Sequence, residues 1–265
     1  MGRVKNKVAI VSASTRGIGL SIVKSLSNEG AIVYMAVRKI DLGKQIADEL
    51  NSQGKNVKVV YFDASQKESY ESMIDEVLKN EGRIDILVNN FGGTNPRHDL
   101  NIIDCSYDNF AENVELNLRS VFLTSQLAIK KAMIPQKSGS IINISSIASL
   151  YPDTTQCAYG TSKAGINHLS KMIAVHTAKF NIRCNVVCPG MTSTDAVATN
   201  LPKEYQSLFM KHTPIGRMST PEEIASTVLY FASDESSTTT GQIIAVCGGY
   251  GLACPTYGDQ VNGNM

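Results

Sequence analysis

The stretch VAIVSASTRGIG, residues 8–19, joins a run of four apolar residues to a short loop that contains two glycines. Apolar residues then recur at positions 18, 22, 23 and 26, which is the spacing of one helix face. A strand that passes through such a loop into a helix lets the backbone approach a pyrophosphate and points helix N–H groups at it. The stretch therefore predicts the first strand and helix of a dinucleotide-binding fold.

Apolar runs alternate with helical patterns along the rest of the chain. The predicted strands are 8–11, 32–37, 57–62, 84–88, 140–144, 182–187 and 242–246. The predicted helices are 18–26, 41–51, 69–79, 107–112, 114–133, 157–179 and 221–232. Strands that are apolar throughout, rather than alternately polar, are typical of a sheet buried on both faces. The pattern predicts an α/β class, namely a Rossmann-like, doubly wound parallel sheet of about seven strands in a single domain over residues 1–265.

Two segments do not fit the alternation. Residues 190–214 form a long connection with several apolar side chains and no matching strand. Connections of this length are usually lids or binding loops, so we interpret 190–214 as a substrate loop. The C-terminal tail at 250–265 is interpreted as a loosely attached terminus, and its role stays open.

Composition excludes several classes of function. The 265 residues carry a formal net charge of +1, which gives no support to bulk nucleic-acid binding. The sequence has no apolar run long enough to insert into a membrane. Neither the four histidines nor the six cysteines show metal-ligand spacing, so no metal site is predicted. With no secretion signal, we expect free thiols and a cytoplasmic location. Charged residues make up only 18%, against roughly 25% in globular proteins, and a subunit interface is one explanation.

The end of the second strand indicates the type of cofactor. An acidic residue there would bind a ribose 2′-hydroxyl, whereas arginine accommodates a 2′-phosphate. No acid occurs between Ala31 and Ile40, and Arg38 follows the strand. Arg16 in the glycine loop could contact the same phosphate. We therefore expect NADP(H) rather than NAD, the alternative being a solvated basic turn.

A tyrosine and a lysine occupy one face of the predicted helix 157–179. Lys163 follows Tyr159 by four residues, so the ammonium lies beside the phenol. A phenol has a pKa near ~10, and a nearby positive charge favours the phenolate. Ser146 ends the fifth strand, and the carboxyl ends of strands are where ligands bind in open α/β sheets. These residues are candidates for proton transfer to or from a substrate oxygen.

In this order and placement, Ser146, Tyr159 and Lys163 resemble the Ser–Tyr–Lys set of the short-chain dehydrogenase/reductase family. The loop 12–19 resembles the Thr-Gly-x3-Gly-x-Gly loop of that family, and residues 89–92 resemble its Asn-Asn-Ala-Gly. The resemblance implies that Tyr159 exchanges a proton with the substrate, that Ser146 orients the substrate oxygen, and that Lys163 lowers the Tyr159 pKa and holds the nicotinamide ribose. It also implies that Asn117 supports a proton-relay water. The cofactor contacts that it implies are Ser12, Ser14, Thr15, Arg16, Gly17, Ile18, Gly19, Arg38, Asp63, Asn90, Gly92, Tyr159, Lys163, Pro189, Gly190, Thr192 and Thr194.

Within the family, the chain resembles the bacterial NADP-dependent 7α-hydroxysteroid dehydrogenases. The similarity lies in residues 37–38, 89–93 and 248–252, with Pro255 and Tyr257. It implies a small lipophilic substrate, a bile acid or other steroid, contacted by Ser146, Tyr159 and Tyr151. It also implies a homotetramer or homodimer, with small residues such as Ala164 and Gly165 permitting close approach of subunits.

Two alternatives stay open. One is another carbonyl reductase of the family, such as a 3-oxoacyl-carrier-protein reductase. That enzyme would need a basic patch for its acidic carrier, and Lys130, Lys131 and Lys137 are candidates that could equally form a solvated face. The other is a non-catalytic NADP-binding protein, which the intact set of Ser146, Tyr159 and Lys163 argues against.

Overall fold

The computed structural model describes residues 2–254 and 256–261, so Met1, Pro255 and residues 262–265 lie outside the described residues. Within this part of the chain, seven parallel strands form one sheet in the order β3-β2-β1-β4-β5-β6-β7. The strands are β1 Val8–Ser12, β2 Ile32–Val37, β3 Asn56–Tyr61, β4 Ile86–Asn89, β5 Gly139–Ile144, β6 Ile182–Pro189 and β7 Ile243–Val246. The predicted class, a doubly wound parallel sheet in a Rossmann-like domain, is confirmed.

Helices connect the strands and cover both faces of the sheet. They are α1 Gly17–Asn28, α2 Ile40–Ser52, α3 Lys67–Glu81, α4 Tyr107–Ala128, α5 Ile134–Gln136, α6 Cys157–Thr177, α7 Asp195–Asn200, α8 Lys203–Lys211, α9 Pro221–Ala232 and α10 Tyr257–Val261. A π-helical turn, Ile129–Met133, joins α4 to α5, and a single 3-10 turn, Ile147–Ser149, follows β5. No helix in the described ranges is long and apolar enough to cross a membrane.

The core consists of two apolar layers, one on each face of the sheet. One layer contains side chains of α1, α2 and α9, and the other contains side chains of α3, α4 and α6. Within β1, Ala9 and Val11 belong to the first layer, whereas Val8 and Ile10 belong to the second. All five residues of β1 are buried, which explains why its first four residues are all apolar.

A buried polar network crosses the second layer near the carboxyl ends of the central strands. Asn89 of β4 lies opposite Asn143 of β5 and donates to its Oδ1 at 2.8 Å. Thr124 of α4 donates to Asn89 Oδ1 at 2.7 Å, and Asn143 donates to Ser170 Oγ of α6 at 2.8 Å. Because these side chains are buried and bonded to one another, they hold α4 and α6 in fixed positions over the sheet.

Two predictions about the elements are wrong. We expected separate helices at 107–112 and 114–133, but α4 is continuous across this point. Asn113 does not end the helix because its amide donates to Gly93 O and Thr94 Oγ1 outside it, and so does not compete for the backbone groups of the helix. The segment 190–214 contains no strand, as expected, yet it holds the two helices α7 and α8 rather than an irregular loop.

The described part of the C-terminal tail is attached to the domain. Gly258 is buried, and Asp259 forms an ion pair with Lys211 at the end of α8. The Tyr257 hydroxyl donates to Pro214 O at 3.4 Å. Our interpretation of a loosely attached terminus is therefore wrong for residues 256–261, which contact Lys211 and Pro214 at the end of the segment 190–214.

The strand order fixes where a ligand can bind. From β1 the chain moves outward through β2 to β3, then returns to place β4 on the other side of β1. The helices that leave β1 and β4 therefore diverge onto opposite faces, and a crevice opens at the carboxyl ends of these two strands.

Candidate active site

The carboxyl edge of the sheet gathers the predicted site residues. Each follows or ends a different strand, in the order Ser12 for β1, Arg38 for β2, Asp63 for β3, Asn90 for β4, Ser146 for β5 and Pro189 for β6. Sequence positions spread over more than 170 residues are thereby brought to one edge of the molecule. This edge is the candidate active site.

The loop after β1 has a backbone that few side chains allow. Ala13 and Gly17 both have φ of +52°, in the left-handed region, and a non-glycine residue there stores about 1–3 kcal/mol of strain. A Cβ atom on Gly19 would lie 2.6 Å from Asn90 Nδ2 and 2.8 Å from Ser14 Cα. Asn90 also donates to Ser12 O at 3.1 Å and to Ala13 O at 3.0 Å. The loop is therefore folded tightly against the end of β4.

This loop fits the phosphates of a dinucleotide. Arg16 is the N-cap residue of α1 but gives it no side-chain cap in the described structure, and the first turn of α1 has no acidic residue. The Ser14 hydroxyl is buried and has no hydrogen-bond partner among the described residues. Uncapped helix N–H groups and an unpaired buried hydroxyl together suit an anionic ligand.

Ser12 has a structural role that the sequence did not indicate. Its hydroxyl is buried and accepts hydrogen bonds from the backbone N–H groups of Asn90 and Phe91, each at 3.0 Å. The serine thus ties the end of β1 to the segment after β4. Its predicted contact with the cofactor stays a prediction.

The segment after β6 approaches the glycine loop from the other side. A Cβ atom on Gly17 would lie 3.3 Å from the Thr194 methyl group, so these two predicted cofactor residues are neighbours. Thr194 also caps α7 by accepting from Val197 N at 3.3 Å. Thr192 is buried, and its backbone pairs with that of Ser219.

The second strand ends in the basic region that the sequence indicated. Arg38 and Arg16 are both exposed. Burial pushes the pKa of Asp63 upward, but hydrogen bonds from Ser65 and the positive charge of Arg38 outweigh it and lower that pKa. Arg38 therefore lies near the end of β3 as well as that of β2. That Arg16 and Arg38 share one phosphate stays a prediction.

Ser146, Tyr159 and Lys163 converge at the end of β5. Tyr159 lies in the first turn of α6, and the Lys163 Nζ atom is 5.6 Å from the centroid of its ring. Lys163 Nζ donates to Ile144 O, the last carbonyl of β5, at 2.9 Å. Ser146 caps the 3-10 turn that follows, since its Oγ accepts from Ala148 N at 3.1 Å. The i, i+4 spacing and the strand-end position predicted this proximity from sequence.

Burial controls the protonation of this group. Only 2% of Lys163 is exposed, and desolvation lowers its pKa to about 8. Burial raises the pKa of Tyr159, and a hydrogen bond with the Ser146 hydroxyl acts in the opposite direction. At neutral pH the phenol of the free protein is therefore neutral beside a charged ammonium. The expected lowering of the Tyr159 pKa by Lys163 stays a prediction.

Gly92 brings a backbone edge against Lys163 and Asn117. A Cβ atom there would lie 2.7 Å from Lys163 Nζ and 3.3 Å from Asn117 Oδ1, so a side chain at this position would crowd the ammonium. Asn117 Oδ1 accepts from Gly93 N at 3.1 Å, and its Nδ2 donates to Gly93 O at 3.0 Å. Asn117 is thus near Lys163, and its side chain fixes the segment after β4. Its support of a proton-relay water stays a prediction.

An aromatic wall begins just after the 3-10 turn that Ser146 caps, since Tyr151 N donates to Ile147 O of that turn. The rings of Phe209 and Tyr250 are stacked with centroids 4.1 Å apart, and Tyr151 meets Tyr250 edge-on at 6.1 Å. A small cavity of about 220 Å³ lies against this wall. Its lining residues are Tyr151, His212, Tyr250, Gly251, Ala253, Cys254 and Tyr257. Tyr151 was predicted as a substrate contact. The sequence did not indicate that residues of the C-terminal tail line a cavity beside it.

Asp99 also belongs to this site, although no pattern in the sequence indicated it. Its carboxylate is buried and accepts from the backbone N–H groups of Ala158 and Tyr159, at 2.8 and 2.9 Å. It lies about 60 positions earlier in an irregular segment, so no local pattern connects it with α6.

Comparisons with known proteins agree with this geometry. A family profile described as enoyl-(acyl carrier protein) reductase matches residues 12–251. A 7α-hydroxysteroid dehydrogenase of Paraclostridium sordellii is 44% identical, over 100% of this chain and 99% of its own length. A 3-oxoacyl-acyl-carrier-protein reductase of Chlamydia muridarum is 35% identical, over 92% and 97%. The crystal structure of gox2181 superposes with a TM-score of 0.90 at 31% identity, over 95% of this chain and 98% of that one.

The chain belongs to the short-chain dehydrogenase/reductase family. It is therefore an oxidoreductase whose family uses a nicotinamide dinucleotide, and the loop after β1 has the features that such a cofactor requires.

Replacing Lys163 with Met should stabilise the cofactor-free protein near neutral pH by about 2 kcal/mol, because it removes a buried charge. A lysine whose pKa falls from about 10.4 when unfolded to about 8 when folded binds fewer protons in the folded state. The unfolding free energy of the wild type therefore rises with pH between about 8 and 10, and the difference from the variant shrinks there. Urea unfolding at both ends of this window measures the effect.

Lys44→Met is the matched control because Lys44 is exposed on α2. Its effect on unfolding should stay within about 0.5 kcal/mol at both pH values. A Lys163→Met protein that is less stable than the wild type near neutral pH would contradict the prediction.

Proposed function

We propose that the chain is an NADP(H)-dependent 7α-hydroxysteroid dehydrogenase that interconverts the 7α-hydroxyl group of bile acids and the corresponding ketone. One observation carries the proposal: Ser146, Tyr159 and Lys163 converge at the end of β5, and the 3-10 turn that Ser146 caps leads through Leu150 to Tyr151, where an aromatic wall begins. A flat apolar ligand would be covered by such a wall while presenting one hydroxyl to Tyr159. The 44% identity with the P. sordellii enzyme extends over the whole chain and supports the same assignment.

The proposed chemistry assigns one task to each side chain. When bound, the nicotinamide supplies the hydride acceptor for oxidation and the hydride donor for reduction. In oxidation, Ser146 and Tyr159 hydrogen-bond the steroid hydroxyl, and the Tyr159 phenolate accepts its proton. Lys163 stabilises that phenolate by its positive charge. In reduction, the neutral phenol donates the proton, which suits the raised pKa of Tyr159 in the free protein.

NADP(H) is the proposed cofactor form. Arg38 stands exposed at the end of β2, and no acidic residue between Ala31 and Ile40 is available to bind a ribose 2′-hydroxyl. A guanidinium at this point provides the planar donors that a 2′-phosphate requires.

The carrier-protein reductase remains the second candidate because of the C. muridarum relative. The basic patch that this function needs carries less exposed positive charge in the structure than its sequence suggests. Lys131 contacts both Glu71 and Asp75, so its charge is neutralised locally, and only Lys130 and Lys137 of the three remain exposed. An acidic carrier would meet less positive charge here than the sequence alone indicated.

We also propose a cytoplasmic homo-oligomer, a dimer or tetramer. All six cysteines are free thiols. Helices α4 and α6 present an outer groove lined by Leu118, Phe122 and Leu169, and Val175 beyond it is 76% exposed. A second copy of the same groove would cover these side chains. Gly165 also lines this groove, and a Cβ atom there would lie 3.0 Å from Leu118 Cδ2.

The substrate is tested with bile acids that differ only at carbon 7. We expect NADP reduction with the 7α-hydroxyl compound and none with the 7β epimer or the compound that lacks this hydroxyl. Tyr159→Phe should lower the rate by about 10²- to 10⁴-fold because the proton acceptor is lost. Equal rates on all three compounds would reject the 7α assignment, and turnover of 3-oxoacyl-carrier thioesters alone would favour the second candidate.

The cofactor is tested with Arg38→Asp. The ratio of kcat/KM with NADP to that with NAD should fall by about 10- to 100-fold, because a charge-assisted phosphate contact is replaced by repulsion. Lys44→Asp makes the same charge change on the exposed face of α2 and should leave the ratio unchanged. An unaltered NADP preference in Arg38→Asp would overturn the proposed role of this arginine.

The assembly is tested by light scattering. The wild type should have the mass of two or four chains of 28.7 kDa. Phe122→Glu should dissociate it, because it places a charge in the covered groove. Ile103→Glu alters another exposed apolar residue, which lies in the irregular segment before α4 and does not line the groove, and it should not change the mass. A wild-type monomer would contradict the proposed interface.

A further inference from the structure

The N-terminus of α6, the helix that carries Tyr159 and Lys163, has no cap of its own. Its N-cap residue, Gln156, has φ of +63° and ψ of 41°, in the left-handed region, and its side chain makes no capping bond in the described structure. The first backbone N–H groups of a helix lack partners within it. For α6 they would lie directly beside the catalytic phenol.

The segment after β4 supplies every missing acceptor. The backbone carbonyls of Asp99 and Leu100 accept from Gln156 N and Cys157 N, at 3.0 and 3.1 Å. The Asp99 carboxylate then accepts from Ala158 N at 2.8 Å and from Tyr159 N at 2.9 Å. These are the positions that an ordinary N-cap side chain serves, and a carboxylate makes stronger bonds there than a hydroxyl.

Asp99 is itself held in place by the site. Thr94 Oγ1 donates to Asp99 Oδ2 at 2.7 Å, and Asn113 donates to Thr94 Oγ1 at 2.9 Å. Asn117 Nδ2 donates to Asn113 Oδ1 at 2.9 Å and to Ser162 Oγ at 3.0 Å. The network therefore runs from the predicted catalytic Asn117 to the carboxylate of Asp99.

The same network reaches the other end of the Tyr159 residue. Ser162 Oγ donates to Tyr159 O at 2.8 Å, while Asp99 accepts from Tyr159 N. Both backbone polar groups of Tyr159 are thus bound by side chains: Asp99 accepts from its N–H, which has no partner within the helix, and Ser162 donates to its carbonyl. Only 3% of Asp99 is exposed, so water cannot readily replace it.

We propose that Asp99 is a positioning residue for Tyr159, whose carboxylate fixes the first turn of α6 and with it the phenol relative to Gly92 and Lys163. This inference rests on the proposed function, since it assigns Asp99 a part in the reaction of Tyr159. Asp99 does not touch the substrate oxygen in this role. Its hydrogen bonds connect the segment after β4 to α6, the helix that carries Tyr159.

The test compares Asp99→Asn with Asn51→Ala. The asparagine keeps the size of Asp99 but has only one accepting atom, so Tyr159 N or Ala158 N loses its partner. We expect kcat to fall by about 10- to 100-fold, because small misplacements of a reacting group have effects of this size. KM for the steroid and the dissociation constant of NADPH should stay close to the wild-type values.

Asn51 is the control because it also makes two side-chain bonds to backbone, to Val57 N and Val57 O, between α2 and β3. Its removal should cost comparable stability and leave kcat unchanged. A second variant, Thr94→Val, keeps the carboxylate but frees it from Thr94, and kcat should fall by a smaller factor than in Asp99→Asn. A kcat of Asp99→Asn equal to that of the wild type would overturn the proposal.

A measurement without substrate separates this inference from the proposed function. The titration of Tyr159 is read from the ultraviolet difference between each protein and its Tyr159→Phe counterpart. The groups that face Tyr159 are Lys163 on its own helix, Ser146 after β5, Cys188 on β6 and Asp99 from the segment after β4. Asp99→Asn removes the one carboxylate among them and exposes the positive end of the helix, so the midpoint should shift to lower pH by about one unit.

Asn51→Ala should not shift this midpoint. If the wild type oxidises no hydroxysteroid but the midpoint shifts as stated, the proposed function fails and the positioning role of Asp99 stands. If the wild type is active and Asp99→Asn changes neither kcat nor the midpoint, the proposed function stands and the positioning role fails.

Discussion

Helices cover both faces of the seven-stranded sheet, and this coverage leaves the carboxyl edge as the place where polar side chains can gather without burial in the core. The strand order then divides the edge at β1 and β4, where the connecting helices diverge. Each part of the site is positioned by this constraint: the glycine loop leaves β1, Gly92 follows β4, and Ser146 follows β5. The chemistry depends on how tightly these three strand ends are tied together.

Side-chain hydrogen bonds to backbone make those ties. Ser12 binds the segment after β4, Asn90 returns to the glycine loop, and Asn117 holds Gly93 from α4. The most costly member of the site is Lys163, a buried ammonium bonded to the Ile144 carbonyl. The protein therefore holds a charge in a place that lowers its pKa and opposes folding, and such strained groups are typical of functional sites.

Patterns local in sequence predicted most of the fold and part of the site. Continuous apolar runs identified the seven strands, and the spacing from Tyr159 to Lys163 placed two catalytic candidates on one helix face. Interactions between distant segments could not be predicted. Nothing near Asp99 shows that it caps α6, and nothing near Tyr257 shows that the tail packs on α8. The sequence predicted two helices on either side of Asn113, and the bonds of this side chain to Gly93 and Thr94, which lie outside the helix, could not be predicted. Burial raises the pKa of Tyr159, and the sequence spacing between Tyr159 and Lys163 does not reveal how deeply the phenol is buried.

We propose that a bile acid bound at this edge of the sheet gives a hydride from its carbon 7 to NADP while Tyr159 takes the proton. The most direct measurement uses a 7α-hydroxy bile acid that carries deuterium on carbon 7, with mass spectrometry of the cofactor after turnover. We expect deuterium in the NADPH that forms, and a transfer slowed by about 10²- to 10⁴-fold in Tyr159→Phe. Deuterium that stays on the steroid or appears in water would contradict it.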